Sequence, residues 1–173
     1  MIIKFIGAAI IILSGGYLGL YYSKKLQIRI DEIKAFISSL SVMDALMAHI
    51  KAPLAEIFLK LSDCREKSLA DFFNDVHSGL SSGRGISAAE AFESALARHK
   101  GGFSFGNEEL AVIGDFGRRI GMLDIDSQRG QISLCTNLLE RCLQNAINEN
   151  EKYGKLYKGM GIAGGIFISL ILM

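Results

Sequence analysis

Two stretches without Asp, Glu, Lys, Arg or His bracket the chain: FIGAAIIILSGGYLGLYY, Phe5 to Tyr22, and GMGIAGGIFISLILM, Gly159 to Met173. A helix of this composition has no polar face to turn toward water, so both ends read as membrane helices. At about 1.5 Å per residue the first is roughly 27 Å long, close to the ~30 Å hydrocarbon core of a bilayer. A cleaved signal peptide is the rival reading, but it requires small residues at a cleavage site, and the run closes instead on Tyr21-Tyr22-Ser23-Lys24-Lys25. The second stretch is shorter, about 22 Å if helical, and needs local bilayer thinning or snorkelling of Lys155 and Lys158 to match the membrane. A buried amphipathic end is its rival, which leaves unexplained why no polar face follows Lys158.

The flanking charges give an orientation. Lys24, Lys25 and Arg29 follow the first span, Lys152, Lys155 and Lys158 precede the second, and Lys4 lies outside. Basic residues favour the cytoplasmic side, so the middle of the chain is expected in the cytoplasm. The expected organisation is a membrane helix over 1–22, a cytoplasmic domain over 23–155 and a membrane helix over 159–173. Lys4 is one of 19 basic residues, so the rest of the chain balances its 18 acidic ones. That balance gives no general electrostatic case for nucleic acid. Three cysteines without paired spacing fit a reducing compartment.

Between the ends the apolar spacing is helical. Ile33, Ile37, Leu40, Met43, Met47 and Ile50 step by three and four, drawing one stripe along a helix that begins near Ile30. Pro53 then permits a new first turn, and a short helix is expected from Leu54 to Leu61. Leu69, Phe72, Phe73, Val76 and Leu80 form a third stripe, ended by the glycines of Ser81 to Gly85. Ser87 and Glu90 have the spacing of a capping box, opening a fourth helix with Ala91, Phe92, Ala95 and Leu96 inward. Asn107 is placed to cap a fifth, with Glu108 and Glu109 at its positive dipole end and Leu110, Ile113, Phe116 or Gly117, and Ile120 on its face. A last helix from about Asp126 carries Ile132, Cys135, Leu138, Leu139, Cys142 and Ala146. No stretch alternates as a strand would, so the class is all-α: a bundle of helices between two membrane segments.

The residue types that carry chemistry are dispersed over this pattern. His49, His77 and His99 fall on separate helices, with no second histidine three or four residues away to form a metal pair, and read as surface or cap residues. Cys135 and Cys142 share a face, but seven helical residues separate them by about 10 Å, beyond disulfide reach, so they read as core. No phosphate-binding loop of the GKS/T kind and no GxSxG elbow occurs, and Ser82-Gly83-Arg84-Gly85 is a turn. No catalytic residue, cofactor or metal is expected. The densest polar cluster is FGRRIGMLDIDSQRGQI, Phe116 to Ile132. There Gly114, Gly117 and Gly121 align bare backbone on one helical face, which lets another helix approach closely. Gly121 or a neighbour ends that helix, Asp124 or Asp126 caps the next, and Arg118 and Arg119 face solvent or a partner. The stretch reads as a structural hinge, with partner contact the second reading and catalysis the third.

The same stretch carries a family resemblance. Gly117, Gly121, Asp124, Gln128 and Ile132 fit the pattern of the stage III sporulation protein AB family: glycine, three residues, glycine, two residues, aspartate, three residues, glutamine, three residues, isoleucine. Pro53-Leu54 after a long first helix and the glycine-rich final span agree with it, and the resemblance covers nearly the whole chain. Leu46 and His49 depart from it, standing where the family tends to have an acidic residue and a tyrosine. Arg118 and Arg119 stand where more acidic or neutral residues are common.

The resemblance implies a six-helix antiparallel bundle like the cytoplasmic domain of type II secretion F proteins, held between two membrane helices. It further implies a non-enzymatic platform component of the sporulation channel apparatus, in the mother-cell membrane around the forespore of a spore former. The implied partners are a secretion-type ATPase similar to stage III sporulation protein AA and other sporulation channel membrane proteins. One rival is a general type II secretion or pilus platform, which normally carries two such domains and more spans. Another is a membrane-tethered hydrolase, which needs convergent polar residues in a pocket. Gly15 with Gly19 and Gly161 with Gly165 are small-xxx-small pairs that permit close helix crossing, within one chain or in a homo-oligomer.

Overall fold

A computed structural model of the chain describes the backbone of residues 2–50, 52–83, 85–121 and 124–172. It describes the side chains of residues 17, 20–50, 52–83, 85–121, 124 and 126–153. The described residues form six α-helices and no strand: α1 (Ile2–Ala45), α2 (Leu54–Leu61), α3 (Lys67–Ser81), α4 (Ala88–His99), α5 (Asn107–Arg119) and α6 (Ile125–Leu172). The chain divides into two units, one of residues 31–144 and one that gathers the ends, 1–30 with 145–173.

In the first unit, α2 packs on α3, α3 on α4 and α4 on α5. Ile33, Phe36, Leu40 and Met43 of α1 are buried with Ile132, Cys135, Leu139 and Cys142 of α6. All eight phenylalanines between residues 36 and 116 join one network of ring contacts. Within it Phe92 joins three helices, its ring centroid lying 5.0 Å from that of Phe72, 6.2 Å from Phe58 and 5.9 Å from Phe116. Offset and edge-on arrangements of this kind suit the ring quadrupoles and bind α2, α3, α4 and α5 to a common centre.

The local signals explain the helix limits. Ser87 Oγ accepts from Glu90 N at 3.2 Å while Glu90 Oε2 accepts from Ser87 N at 2.8 Å, the reciprocal capping box that starts α4. Gly83 and Gly85 take φ of 68° and 67°, which turns the chain out of α3 at little steric cost. Pro53 carbonyl accepts from Glu56 N and Ile57 N and so begins α2.

Two expectations are corrected. Ile50 is 61% exposed rather than on the inward stripe. A π-helical turn over Leu46–Ile50 follows α1, and its wider winding brings both Leu46 and Met47 inward while carrying Ile50 off the face. Asn107 does not cap α5. Gly106, in extended conformation with φ −78° and ψ 176°, holds that position without a side-chain bond, and Asn107 is the first helical residue.

The second unit is built from the start of α1 and the end of α6. Arg29 Nη1 bonds Glu149 Oε2 at 2.8 Å and Asn150 Nδ2 donates to Gln27 Oε1 at 3.3 Å, so the two helices lie side by side and antiparallel. The expected spans Phe5–Tyr22 and Gly159–Met173, with Gly15, Gly19, Gly161 and Gly165, fall outside the described side chains apart from Tyr17 and Leu20–Tyr22. Among the described residues one stretch, Leu20–Ile50, is long and apolar enough to cross a membrane. Ile33, Phe36, Leu40 and Met43 within it are core residues, so its apolarity beyond Ile30 is accounted for by the bundle.

Candidate functional site

The corner between α5 and α6 gathers the residues of the family pattern. A Cβ on Gly117 would stand 2.6 Å from Phe92 Cε1, so α4 lies against the bare backbone of α5 at this point. Gly121 has φ of +78°, a conformation that side chains disfavour, and a Cβ there would meet Ala88 Cβ at 2.8 Å. Gly114 differs: its missing Cβ would find only ordinary contacts, at 3.7 Å from Leu96 Cδ2 and Arg118 Nη1. The close approach thus rests on Gly117 and Gly121.

Asp124, not Asp126, caps α6. Its Oδ1 accepts from Ser127 N at 3.0 Å, its Oδ2 from Ser127 Oγ at 2.8 Å, and its carbonyl from Gln128 N at 2.9 Å. The hydrogen bond from the Ser127 backbone, followed by that from its hydroxyl, holds the Asp124 carboxyl below its ordinary value. One turn on, Arg129 Nε bonds Asp44 Oδ1 at 2.7 Å and its Nη2 bonds Asp44 Oδ2 at 3.2 Å. This paired contact fastens the start of α6 to the end of α1 and lowers the Asp44 carboxyl, chiefly through the hydrogen bonds from Arg129.

The two arginines have different surroundings. Arg118 is exposed but engaged: it bonds Asp115 one turn back and its Nη1 lies 3.9 Å from Glu93 Oε1 on α4. Arg119 makes no ion pair among the described residues. It borders a small cleft with Met47, Phe116, Ile120, Gln128, Gln131 and Ile132. Ile132 is buried at the base and Gln128 is half-buried. The pattern residues therefore divide: Gly117 and Gly121 set the packing, Asp124 starts the helix, and Gln128 and Ile132 share the cleft with Arg119.

Several polar groups elsewhere tie the helices together. Glu32, 3% exposed, accepts from Ser68 Oγ at 2.9 Å and from Ser104 N at 2.6 Å, tying α1 to the first turn of α3 and to the loop before α5. Burial raises its carboxyl above the ordinary value against the opposing effect of those two bonds. His77 Nδ1 contacts Ala55 O at 2.8 Å, and His99 Nε2 lies 3.2 Å from Asp75 Oδ2, which also pairs with Arg98 at 2.9 Å. Cys135 and Cys142 are free and buried, and burial pushes the Cys135 thiol up to about 12, far from a reactive thiolate. An open groove of about 420 Å³ runs past Ser38, Ser39 and Val42 on one side and Lys60, Cys64 and Arg65 on the other. Among the described residues no three His, Cys, Asp or Glu side chains are grouped to hold a metal. Glu32 and the Asp44–Arg129 pair were not singled out in the sequence, since their partners lie 36 to 85 residues away.

Known proteins resemble the chain over most of its length. A solved structure of stage III sporulation protein AB superposes with a TM-score of 0.65 at 23% identity, covering 71% of this chain and 96% of that one, a likeness of fold. Stage III sporulation protein AB of Bacillus subtilis (strain 168) is 25% identical over 171 residues, 99% of each chain. The family model described as Stage III sporulation protein AB matches residues 4–173, and on that near-complete match the chain belongs to the stage III sporulation protein AB family.

Proposed function

We propose that this chain acts in sporulation as a non-enzymatic, membrane-anchored assembly component that docks a secretion-type ATPase on its cytoplasmic helical unit. The observation that carries the reading is the α5–α6 corner, where the residues of the family pattern build a fixed helix junction beside a cleft. A close-packed glycine, a left-handed glycine and a capped helix start hold Arg119, Gln128 and Ile132 in place. This is the arrangement expected of a rigid contact surface, where arginine at the edge of an apolar pocket is a frequent anchor. The ATPase supplies hydrolysis, and this chain positions it at the membrane beside the other channel proteins, alone or as a homo-oligomer.

The reading is tested with the full-length protein in nanodiscs and the ATPase encoded by the same organism. Arg119→Glu should weaken binding by about tenfold or more, equivalent to about 1.4 kcal/mol. Arg118→Glu, which breaks contacts to Asp115 and Glu93, should weaken it less. Undiminished binding by Arg119→Glu would place the contact elsewhere, and failure of the wild-type protein to bind an intact ATPase would leave only the assembly role. ATP turnover by the isolated chain would overturn the non-enzymatic assignment.

A further inference from the structure

Four large apolar side chains stand exposed in one short run of α1: Tyr17, Leu20, Tyr21 and Tyr22, each more than half accessible. Tyr21 and Tyr22 meet edge to face with ring centroids 5.8 Å apart. Lys24 and Lys25 follow at once, both exposed and neither in an ion pair among the described residues. On α6 the ammonium of Lys152 lies 5.2 Å from the Tyr153 ring centroid, a second aromatic and basic pair.

Apart from Tyr17 and Leu20, these groups lie close to one level. Arg29 pairs with Glu149, and Gln27 with Asn150, so descending α1 corresponds to ascending α6. Lys24 and Lys25 lie two to three residues below Gln27, and Lys152 and Tyr153 two to three beyond Asn150. At about 1.5 Å per residue, the lysines and Tyr153 fall within roughly 5 Å along the pair, and Tyr21 and Tyr22 within roughly 8 Å. Above this level the charges are balanced by the Arg29–Glu149 bond, and within it Glu151 is the exposed carboxylate among the described residues. Exposed tyrosines with a polar end and an apolar body suit the boundary between acyl chains and headgroups, and unpaired lysines beside them favour anionic phosphate.

We propose that Tyr21, Tyr22, Lys24, Lys25 and Lys152 form a collar that binds the headgroups of anionic phospholipids and fixes the depth of the protein in the membrane. The proposal rests on the reading of the chain as membrane-anchored and adds the lipid class and the residues that select it. The lysines attract the phosphate, the tyrosine hydroxyls reach the glycerol and carbonyl region, and the rings cover the outermost acyl carbons.

The chain has no tryptophan, so Tyr22→Trp introduces a single fluorophore into the collar. The full-length variant is reconstituted into vesicles of phosphatidylcholine mixed with phosphatidylglycerol, with bromine on the acyl chains of one lipid or the other. Brominated phosphatidylglycerol should quench the emission more strongly, giving a preference of about fivefold, the equivalent of about 1 kcal/mol for a lysine near an anionic surface. Added salt should reduce that preference, as screening requires. Lys24→Gln with Lys25→Gln and Lys152→Gln should bring it close to one. Tyr21→Trp repeats the measurement if Tyr22→Trp does not fold. Equal quenching by the two lipids, or an unchanged preference in the triple variant, would overturn the collar while leaving the membrane anchor in place. Absence of quenching by either lipid would overturn both.

Discussion

Phe92 and Gly117 divide one space between them, and the chain has given it to the ring. Gly117→Ala should therefore destabilise the protein by about 1–3 kcal/mol, the usual cost of forcing extra volume into a packed core. Gly114→Ala, one turn earlier, has ordinary contacts at 3.7 Å and should stabilise by as much as about 1 kcal/mol through helix propensity. Urea titrations of the two variants check the contrast, and equal effects would remove the close-packing account. The alignment of these glycines is visible in the sequence, but which of them is crowded depends on Phe92, whose position no spacing rule supplies. Glu32 was still less visible, a charged residue beside a buried isoleucine whose partners Ser68 and Ser104 lie on other elements. Its raised carboxyl value has a definite sign. The contribution from its preference for the proton is fully present below the ordinary 4.5 and is lost as pH rises through the folded value. Urea titrations at successive pH values should thus show the stability of Glu32→Gln relative to wild type improving as pH climbs through that interval.

At the scale of the element, local rules carried most of the information. The limits of α2 and the capping box of α4 follow from proline and Ser-x-x-Glu chemistry acting over a few residues, and they stand where the spacing put them. The π-turn at Leu46–Ile50 escaped because the apolar steps there also fit an ordinary α-helix, and the start of α5 moved because extended Gly106 caps it by backbone alone. The start of α6 offered two aspartates, and geometry chose Asp124. Asp124→Ala should lower the melting temperature near neutral pH, whereas Asp126→Ala should have little effect. The lowered Asp124 value means that its contribution is present above the ordinary 3.8 and is lost as pH falls through the folded value. The difference between wild type and Asp124→Ala should accordingly shrink in strong acid; a difference independent of pH would show that the carboxylate is not the active cap.

For the whole molecule, the succession of six helices was legible because each carries its own apolar stripe, while the contacts that close the ends together were not. Asp44–Arg129 joins positions 85 residues apart and Arg29–Glu149 positions 120 apart, and neither has a signature in the intervening chain. Each clasp joins α1 to α6 within its own unit, and in the unit of the chain ends Gln27 and Asn150 are also in contact. The order in which the helices are strung is then separable from the way they pack. A permuted chain of residues 27–150, joined from Asn150 back to Gln27 by a short glycine–serine linker and opened between the exposed Gly101 and Gly102, should recover the same helical circular dichroism and unfold in one cooperative step. Loss of cooperativity would mean that the native order of synthesis, and not only the final set of contacts, is needed to close the bundle. Cooperative folding would show that the set of contacts, and not the order in which the helices are strung, specifies the bundle.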